Sequence, residues 1–192
     1  MVKDNADVRQ LRDSLGSFPA VSRSPFLVVV SGLPGTGKSH FCRRLVADVP
    51  ALILESDALR KTLFPSPNYS AAESSRLFRA AHALIEQLLG EGVPVIFDAT
   101  NLSERHRRHL YDIAAGTGAR LVLVQVEAPP GVVYTRLKAR ERNPEGEKSD
   151  AGWAVYHRMR PQVERIRRPH HVVDTSRDIE GAVAEIVKEL KS

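Results

Sequence analysis

Cysteine and long apolar runs are the features that this 192-residue chain lacks most clearly. Its single cysteine, Cys42, has no second thiol with which to form an intramolecular disulfide, which excludes a fold held together by disulfides. The longest apolar runs, such as residues 26–30, are far shorter than the ~20 residues that a membrane-spanning helix needs. Residues 1–12 lack the apolar core of a secretory signal. We therefore expect a cytoplasmic protein with no membrane segment.

The remaining composition is typical of a globular protein that folds by burying apolar side chains. Hydrophobic residues make up 42% and charged residues 27%, which excludes collagenous and disordered chains, and the length suits one compact domain. The formal net charge is +5, and residues 136–168 alone hold ten basic residues against five acidic ones. Such a concentration suits an enzyme that handles phosphates or nucleic acid, although a solvated helical face would have the same composition.

Short apolar runs alternate with longer segments of helical period, which predicts an α/β fold with a parallel sheet. The five predicted strands are 26–31, 51–55, 93–98, 120–127 and 171–174. The predicted helices are 38–48, 57–64, 71–90, 103–116, 131–142, 151–168 and 178–191, after a short one around 7–15. Gly90 and Gly116 are expected to close two of these helices. The charged loop 143–152 between two basic helices is expected to be mobile.

The segment after the first predicted strand fits the G-x-x-x-x-G-K-[ST] pattern of a P-loop. Its glycines let backbone N–H groups converge on an anion, Lys38 supplies a full positive charge, and Ser39 can bind Mg²⁺. We therefore predict that ATP binds to this loop. The residues assigned to ATP in this region are Gly32, Leu33, Pro34, Gly35, Thr36, Gly37, Lys38, Ser39 and His40.

The residues around the third predicted strand indicate which class of P-loop protein this sequence belongs to. Asp98 ends this strand, where its carboxylate can hold the water shell of Mg²⁺. Ala99 and Thr100 follow instead of the second acid that motor and switch ATPases use, and an Asn-Lys-x-Asp sequence for guanine recognition is absent. These absences disfavour motor ATPases and GTPases, so a phosphotransferase is the leading class.

A second acidic position, Asp57, follows the second predicted strand. A carboxylate there can accept the proton of an attacking hydroxyl, which a phosphate acceptor would not require. Helical spacing puts Arg60 one turn beyond Asp57 on nearly the same side. Asp57 therefore predicts a hydroxyl acceptor. The alternative is that Asp57 is only the N-cap of the helix that follows.

Four blocks of this sequence resemble the P-loop kinases related to the 5′-kinase domain of polynucleotide kinases, and the zeta-toxin-like small kinases. These proteins are often labelled AAA-type ATP-binding domains. The blocks are 32–39, Ser56-Asp57-x-x-Arg60, 98–101 with the basic residues 105–108, and the helix that carries Arg136 and Arg140. With the end of the last strand included, the resemblance covers about residues 26–177.

The resemblance implies a three-layer P-loop kinase fold, with a five-stranded parallel sheet flanked by helices and an arginine-bearing lid. The kinase domain would span 25–192 after an N-terminal extension, 1–24, and the lid would span about 131–168. In the family, the counterpart of Asp57 is the general base, and that of Arg60 contacts an acceptor phosphate. Arg140 would stabilise the transferring phosphoryl group, with Arg136 supporting it.

The resemblance also implies weaker assignments at the ends of two strands. Asp174 and Thr175 would lie near the adenine, although a strand end that caps the final helix explains them equally well. Asn101 would contact the acceptor, and the loop 143–152 would lie within or next to the lid, where closure would exclude water.

Three functions remain open at this point. The first is an ATP- and Mg²⁺-dependent kinase whose acceptor is the 5′-OH of RNA or DNA. The second keeps this machinery but phosphorylates a small molecule such as a nucleoside, sugar, antibiotic or metabolite. The third is a non-catalytic ATP-binding module that signals through a partner.

Overall fold

The structure is a computed structural model that describes residues 6–142 and 151–192. Its centre is one parallel sheet, which confirms the predicted α/β class and all five predicted strands. The strand order is β2-β3-β1-β4-β5, so β1, which precedes the P-loop, lies in the middle. The strands are β1 Phe26–Ser31, β2 Leu52–Glu55, β3 Val95–Asp98, β4 Arg120–Glu127 and β5 His171–Asp174.

Helices cover both faces of the sheet and complete three layers. Alternate residues of β1 point to opposite faces, because successive side chains of a strand alternate. Leu27 and Val29 pack in the core with α1, α3, α4 and α5, whereas Val28 and Val30 pack in a second core with α2 and α8. The helices are α1 Ala6–Asp13, α2 Lys38–Val46, α3 Ser56–Leu63, α4 Ala71–Gly90, α5 Glu104–Thr117, α6 Pro130–Arg142, α7 Trp153–Met159 and α8 Glu180–Lys191.

Helix α5 ends one residue later than predicted, and a different glycine closes it. Gly116 lies inside the helix, and Gly118 takes the left-handed backbone conformation with a φ of 68°. Its N–H donates to the carbonyls of Ala114 and Ala115, which otherwise lack partners at a helix end. The sequence offers two glycines here, and the helix ends at the second.

The predicted helix 151–168 is wrong beyond residue 162. Helix α7 ends at Met159, a 3-10 turn covers Arg160–Gln162, and the chain then runs without helix to β5. Pro161 has no N–H to continue a helical ladder. The N–H of Glu164 instead donates to the carbonyl of Leu102 at 3.0 Å, which fixes the segment against the start of α5. Of the loop predicted to be mobile, residues 143–150 lie outside the described residues.

Helix α1 packs into the domain core. Val8 and Leu11 are buried in the same cluster as α3 and α4. Arg76 of α4 donates to both oxygens of Asp7, at 2.7 and 2.8 Å. Part of the predicted N-terminal extension therefore belongs to the core. Across the two described ranges, every helix is either too short or too polar to cross a membrane.

Candidate active site

A cleft of about 1900 Å³ opens where the parallel strands end. Open parallel sheets bind ligands at this edge, because the loops that follow neighbouring strands diverge there. The P-loop and the start of α2 form one side of the cleft, which we call the donor side. The acceptor side is formed by α3, α4, the β3–α5 loop and residues 155–164.

The donor side is built on the predicted P-loop. Gly35 and Gly37 have φ values of 79° and 92°, in the left-handed region that favours glycine. A Cβ at Gly37 would lie 2.8 Å from the Oγ1 of Thr175, so the tight approach also requires glycine. The Lys38 Nζ donates to the carbonyl of Leu33 at 3.1 Å, which holds the ammonium group over the loop. Pro34, Gly35, Gly37, Lys38, Ser39 and His40 line the cleft, whereas Gly32, Leu33 and Thr36 form the body of the loop behind them.

Ser39 and Asp98 come together at the floor of the donor side. The Ser39 Oγ donates to Asp98 Oδ2 at 2.6 Å. Burial raises the pKa of Asp98, the Lys38 charge and the Ser39 hydrogen bond oppose this, and Glu55 and Asp57 add to the rise. A hydroxyl and a carboxylate are the hard oxygen donors that suit Mg²⁺. These two residues therefore fit the magnesium site predicted from the sequence.

Glu55 is an acidic cleft residue that the sequence analysis did not assign. It is the last residue of β2, it lies opposite Asp98 in the strand register, and it lines the cleft. The signal that marked Asp98, an acid at the end of a strand, was also present at Glu55.

Asp57 lines the cleft from the first turn of α3. Glu55 takes the N-cap position of this helix, and Asp57 is its second residue. The alternative that Asp57 is the N-cap is therefore wrong. Its charge contributes to the raised pKa of Asp98, so the two carboxylates share one electrostatic environment. A carboxylate in this position can receive a proton from a group bound between the two sides.

Arg60 also lines the cleft, but its charge is already compensated. Its side chain is 8% exposed and forms an ion pair with Glu73. A second hydrogen bond goes to the Oγ of Ser74 at 3.2 Å, and the Tyr69 ring lies 4.9 Å from the guanidinium carbon. These contacts join α3 to the start of α4. The predicted contact of Arg60 with an acceptor phosphate would have to compete with Glu73.

The two predicted lid arginines lie on α6 and face the cleft. Arg136 donates to the Oγ1 and the carbonyl oxygen of Thr175, both at 2.8 Å. The Thr175 hydroxyl donates in turn to the carbonyl of Thr36 at 2.6 Å, so Arg136 is tied to the P-loop through Thr175. Arg140 lines the cleft one turn further along α6.

The remaining predicted site residues have mainly structural contacts. Asp174 accepts hydrogen bonds from the N–H and hydroxyl of Ser176, at 2.9 and 2.7 Å, and so stabilises a turn outside the cleft lining. Asn101, with a φ of 45°, borders the cleft, and its side-chain amide donates to the carbonyl of Val30 at 2.8 Å. The structure thus ties Thr175 to the donor side and uses Asp174 and Asn101 to brace the backbone.

Several acceptor-side residues were not foreseen from the sequence. Phe78 of α4 stacks on His106 of α5 with ring centroids 5.9 Å apart. Tyr69, Met159 and Gln162 line the same wall. They come from four separate segments, and only the packing of α4, α5 and residues 155–164 brings them together. No local sequence pattern could have identified them.

His82 lies beneath this aromatic wall. Its ring is 6.1 Å from Phe78 and 5.8 Å from His109, measured between centroids. Its Nε2 is buried and has no hydrogen-bond partner. Burial, together with the charges of His109 and His106, lowers the pKa of His82 from 6.5 to about 4. His82 is therefore a neutral packing residue at neutral pH.

Residues 27–166 match the family model for an AAA domain. An uncharacterized protein of Mycobacterium tuberculosis is 31% identical over 126 residues, which cover 59% of this chain and 25% of that protein. An L-seryl-tRNA(Sec) kinase of Methanococcus maripaludis is 30% identical over 115 residues, 57% of this chain and 44% of the kinase. The chain therefore matches about a quarter to under half of the length of these curated relatives.

The solved structure of an APS kinase from Mycobacterium tuberculosis, in complex with AMPPNP and APS, has a similar fold. The TM-score is 0.66 at 22% identity, and the match covers 89% of this chain and 100% of the kinase. At this level of identity the likeness shows the fold. The three-layer architecture described above is thus the architecture of a P-loop kinase.

Proposed function

We propose that this chain, which belongs to the AAA domain family and has a P-loop kinase fold, transfers the γ-phosphate of ATP to a hydroxyl acceptor. The observation that supports the proposal is that groups suited to binding ATP and Mg²⁺ and a carboxylate that can accept a proton lie on opposite sides of one cleft. The P-loop and the Ser39–Asp98 pair lie on the donor side, and Asp57 faces them from the acceptor side. Phosphoryl transfer to an alcohol requires both.

On the donor side, the P-loop backbone would bind the β- and γ-phosphates, with Lys38 offsetting their charge. Ser39 and Asp98 would hold Mg²⁺, which when bound neutralises charge on the phosphate oxygens. Arg136 holds Thr175 against the loop, and Arg140 faces the cleft. These arginines would stabilise the charge that spreads over the transferring group.

On the acceptor side, Asp57 would act as the general base. Among the described residues it has no ion pair, and it lines the cleft opposite the P-loop. As the acceptor oxygen bonds to the γ-phosphorus, the bond to the β,γ-bridging oxygen breaks and ADP leaves. Asp57 takes the proton that the hydroxyl loses.

The acceptor that we favour is the 5′-OH of RNA or DNA. Arg158 lines the acceptor side. Further exposed arginines lie next to it, on α5 and on residues 160–168. Guanidinium groups at a cleft rim suit a chain of phosphodiesters. The related L-seryl-tRNA(Sec) kinase acts by its name on a seryl-tRNA, which supports an acceptor that includes a nucleic acid.

A small-molecule alcohol is the second candidate, and the state of Arg60 favours it. Because Glu73 compensates the charge of Arg60, this arginine is not an unpaired cation for an acceptor phosphate. Tyr69, Phe78 and Met159 would instead contact an apolar or aromatic part of a small substrate. The dependence of acceptor affinity on salt concentration distinguishes the two candidates. A polynucleotide held through several phosphates loses affinity steeply as the salt concentration rises, and a neutral metabolite does not.

The test is γ-phosphate transfer from labelled ATP with Mg²⁺, to 5′-OH RNA and DNA oligonucleotides and to a panel of nucleosides and small alcohols. We expect labelled oligonucleotide from the wild type, and a loss of about 10²- to 10⁴-fold in single-turnover rate for Asp57→Asn. Asp13→Asn, at an exposed acid at the end of α1, is the matched control and should react like the wild type.

Each other outcome changes one part of the proposal. Label that appears only in a small molecule selects the second candidate. Full activity in Asp57→Asn removes this residue from the mechanism. ATP binding without transfer to any acceptor would leave a non-catalytic ATP-binding module that acts through a partner, and would refute the kinase.

A further inference from the structure

Two segments that are distant in sequence form one continuous surface beside the acceptor side. Buried Arg107 of α5 donates to the carbonyls of Glu164 and Arg165, at 3.0 and 3.2 Å. Arg168 lies over the Tyr111 ring, with 4.4 Å from its guanidinium carbon to the ring centroid. Residues 160–168 are therefore fixed along the side of α5.

The outward side of this pair of segments is rich in arginine. We call the exposed side chains of Arg105, Arg108, Arg160, Arg165 and Arg167 the arginine face. Within residues 6–142 and 151–192, none of these five guanidinium groups is paired with a carboxylate. A solvated helical face usually pairs such charges with acids at helical spacing, and this surface does not.

The acids of the same two segments do not neutralise the arginine face. Glu104 accepts two hydrogen bonds from buried Arg107, at 2.9 and 3.1 Å. The Glu164 carboxylate accepts from the backbone N–H of Glu104 at 2.8 Å. Asp112 is the remaining exposed acid on α5. Five unpaired guanidinium groups thus outnumber the acids that are free to oppose them.

The arginine face is continuous with the cleft. Ser103 and His106, from the same turns of α5 as Arg105, line the acceptor side. Arg158, Gln162 and Glu164 line it from the other segment. A ligand whose end lies near Asp57 would therefore emerge between these two segments and pass directly onto the arginine face.

We propose that the arginine face binds the phosphodiester backbone of a single-stranded nucleic acid whose terminal hydroxyl enters the cleft. This inference rests on the proposed function and extends its acceptor site beyond the reacting nucleotide. Guanidinium groups bind phosphates through paired N–H donors, which fits the presence of arginines and the absence of lysine in residues 104–117 and 160–168. The exposed Tyr69 ring at the cleft offers a surface for an unpaired base, which favours a single strand.

The arginine face should also set the salt dependence of binding. For single strands, the logarithm of the binding constant falls with the logarithm of salt concentration by about 0.7 for each phosphate contact. Four contacts give a slope of about −3, and loss of two contacts reduces it to about −1.4. Loss of these contacts should not change the rate of phosphoryl transfer to a nucleoside, because a nucleoside does not reach the arginine face.

The test measures fluorescence anisotropy of a 3′-labelled 12-nucleotide single-stranded RNA with the full-length protein, followed by the same sequence as DNA and as duplex. The variants are the double charge reversals R105E/R108E and R165E/R167E, with R105Q/R108Q as a milder pair. The matched control is K188E/K191E, which makes the same charge change on α8, on the opposite layer of the sheet. Thermal unfolding confirms that each variant is folded.

We expect each charge reversal on the arginine face to weaken RNA binding by at least tenfold and to flatten its salt dependence, and K188E/K191E to bind within about twofold of the wild type. Equal losses in the control would overturn the proposal, because the effect would be one of net charge. Unchanged binding in both arginine-face variants would overturn it as well. Stronger binding of duplex than of single strand would refute the single-stranded ligand.

Failure of the kinase proposal can be distinguished from failure of this one. If the wild type phosphorylates the RNA and the arginine-face variants do so with the same salt dependence, the arginine face is not used and the kinase stands. If no transfer occurs but the variants lose RNA binding, the arginine face stands and the proposed acceptor reaction fails.

Discussion

The two sides of the cleft are built in different ways. The donor side comes from one uninterrupted segment, residues 32–39, and Thr175 and Asp98 complete it. The acceptor side is assembled from α3, α4, α5 and the segment after α7, and charged residues hold these elements together. Arg60 and Arg107 look like ligand-binding arginines in the sequence, yet both are buried and bonded to protein groups. Substitution of Arg60 or Arg107 should therefore affect folding on the acceptor side, where Asp57 is the charged residue expected to affect catalysis, whereas substitutions on the donor side should affect catalysis.

The largest effect is expected for Arg107→Met. Removal of this buried side chain leaves Glu104 without its ion-pair partner and the carbonyls of residues 164–165 without their donor, and it takes one of two donors from the carbonyls of Asn101 and Leu102. The free energy of unfolding should fall by about 3–5 kcal/mol, measured by urea denaturation. Arg108→Met, on the exposed side of the same helix, should change it by less than about 0.5 kcal/mol. Equal stability of the two variants would remove the structural role assigned to Arg107.

The second prediction concerns how His82 makes the free energy of unfolding depend on pH. Because the pKa of His82 is lowered to about 4 in the folded state, the unfolded chain binds the proton more readily below pH 6.5. The contribution of neutral His82 to the free energy of unfolding is fully present above about pH 6.5 and is lost as the pH falls towards 4. This loss amounts to about 3 kcal/mol. His82→Leu should flatten the fall in unfolding free energy over this range, and an unchanged pH profile would contradict the assignment.

A matched pair of serines tests the two sides directly. Ser39→Ala removes the hydroxyl that bonds Asp98, and should raise the Mg²⁺ concentration for half-maximal transfer by about 10- to 100-fold. Ser103→Ala removes the N-cap of α5, whose Oγ accepts from the N–H of His106. It should lower the unfolding free energy by about 1 kcal/mol and leave the Mg²⁺ requirement unchanged. Both variants are measured by Mg²⁺ titration and by urea denaturation. A raised Mg²⁺ requirement in Ser103→Ala, with none in Ser39→Ala, would contradict the two assignments.

The smallest effect on ligand binding is expected for Thr175→Val. This change keeps the shape but loses the hydroxyl that accepts a hydrogen bond from Arg136 and donates one to the Thr36 carbonyl of the P-loop. ATP affinity should fall by about tenfold, which corresponds to about 1.4 kcal/mol. Thr175→Ser retains the hydroxyl and should bind ATP like the wild type in a calorimetric titration. Equal affinity of both variants would mean that the Arg136–Thr175 link does not support the donor side.

Much of the fold was predictable from hydrophobic pattern alone. All five strands were identified, and α4 spans the residues predicted for it, because its long apolar stripe and its Ser70 cap are local signals. The prediction of helix for residues 163–168 was wrong. Pro161 interrupts the helical ladder, and the partners that hold this segment, Arg107 and Leu102, are more than fifty residues away.

The sequence by itself determined the donor side and the class of the sheet. Backbone N–H groups converge on an anion wherever glycines permit the left-handed turns of Gly35 and Gly37, and this requires only neighbouring residues. The tertiary structure decided which charged residues remain available. Arg60, Arg107 and Arg108 are the same kind of side chain in a sequence. Burial pairs the first two with Glu73 and Glu104, because a buried charge is stable only when it is paired, and Arg108 remains exposed.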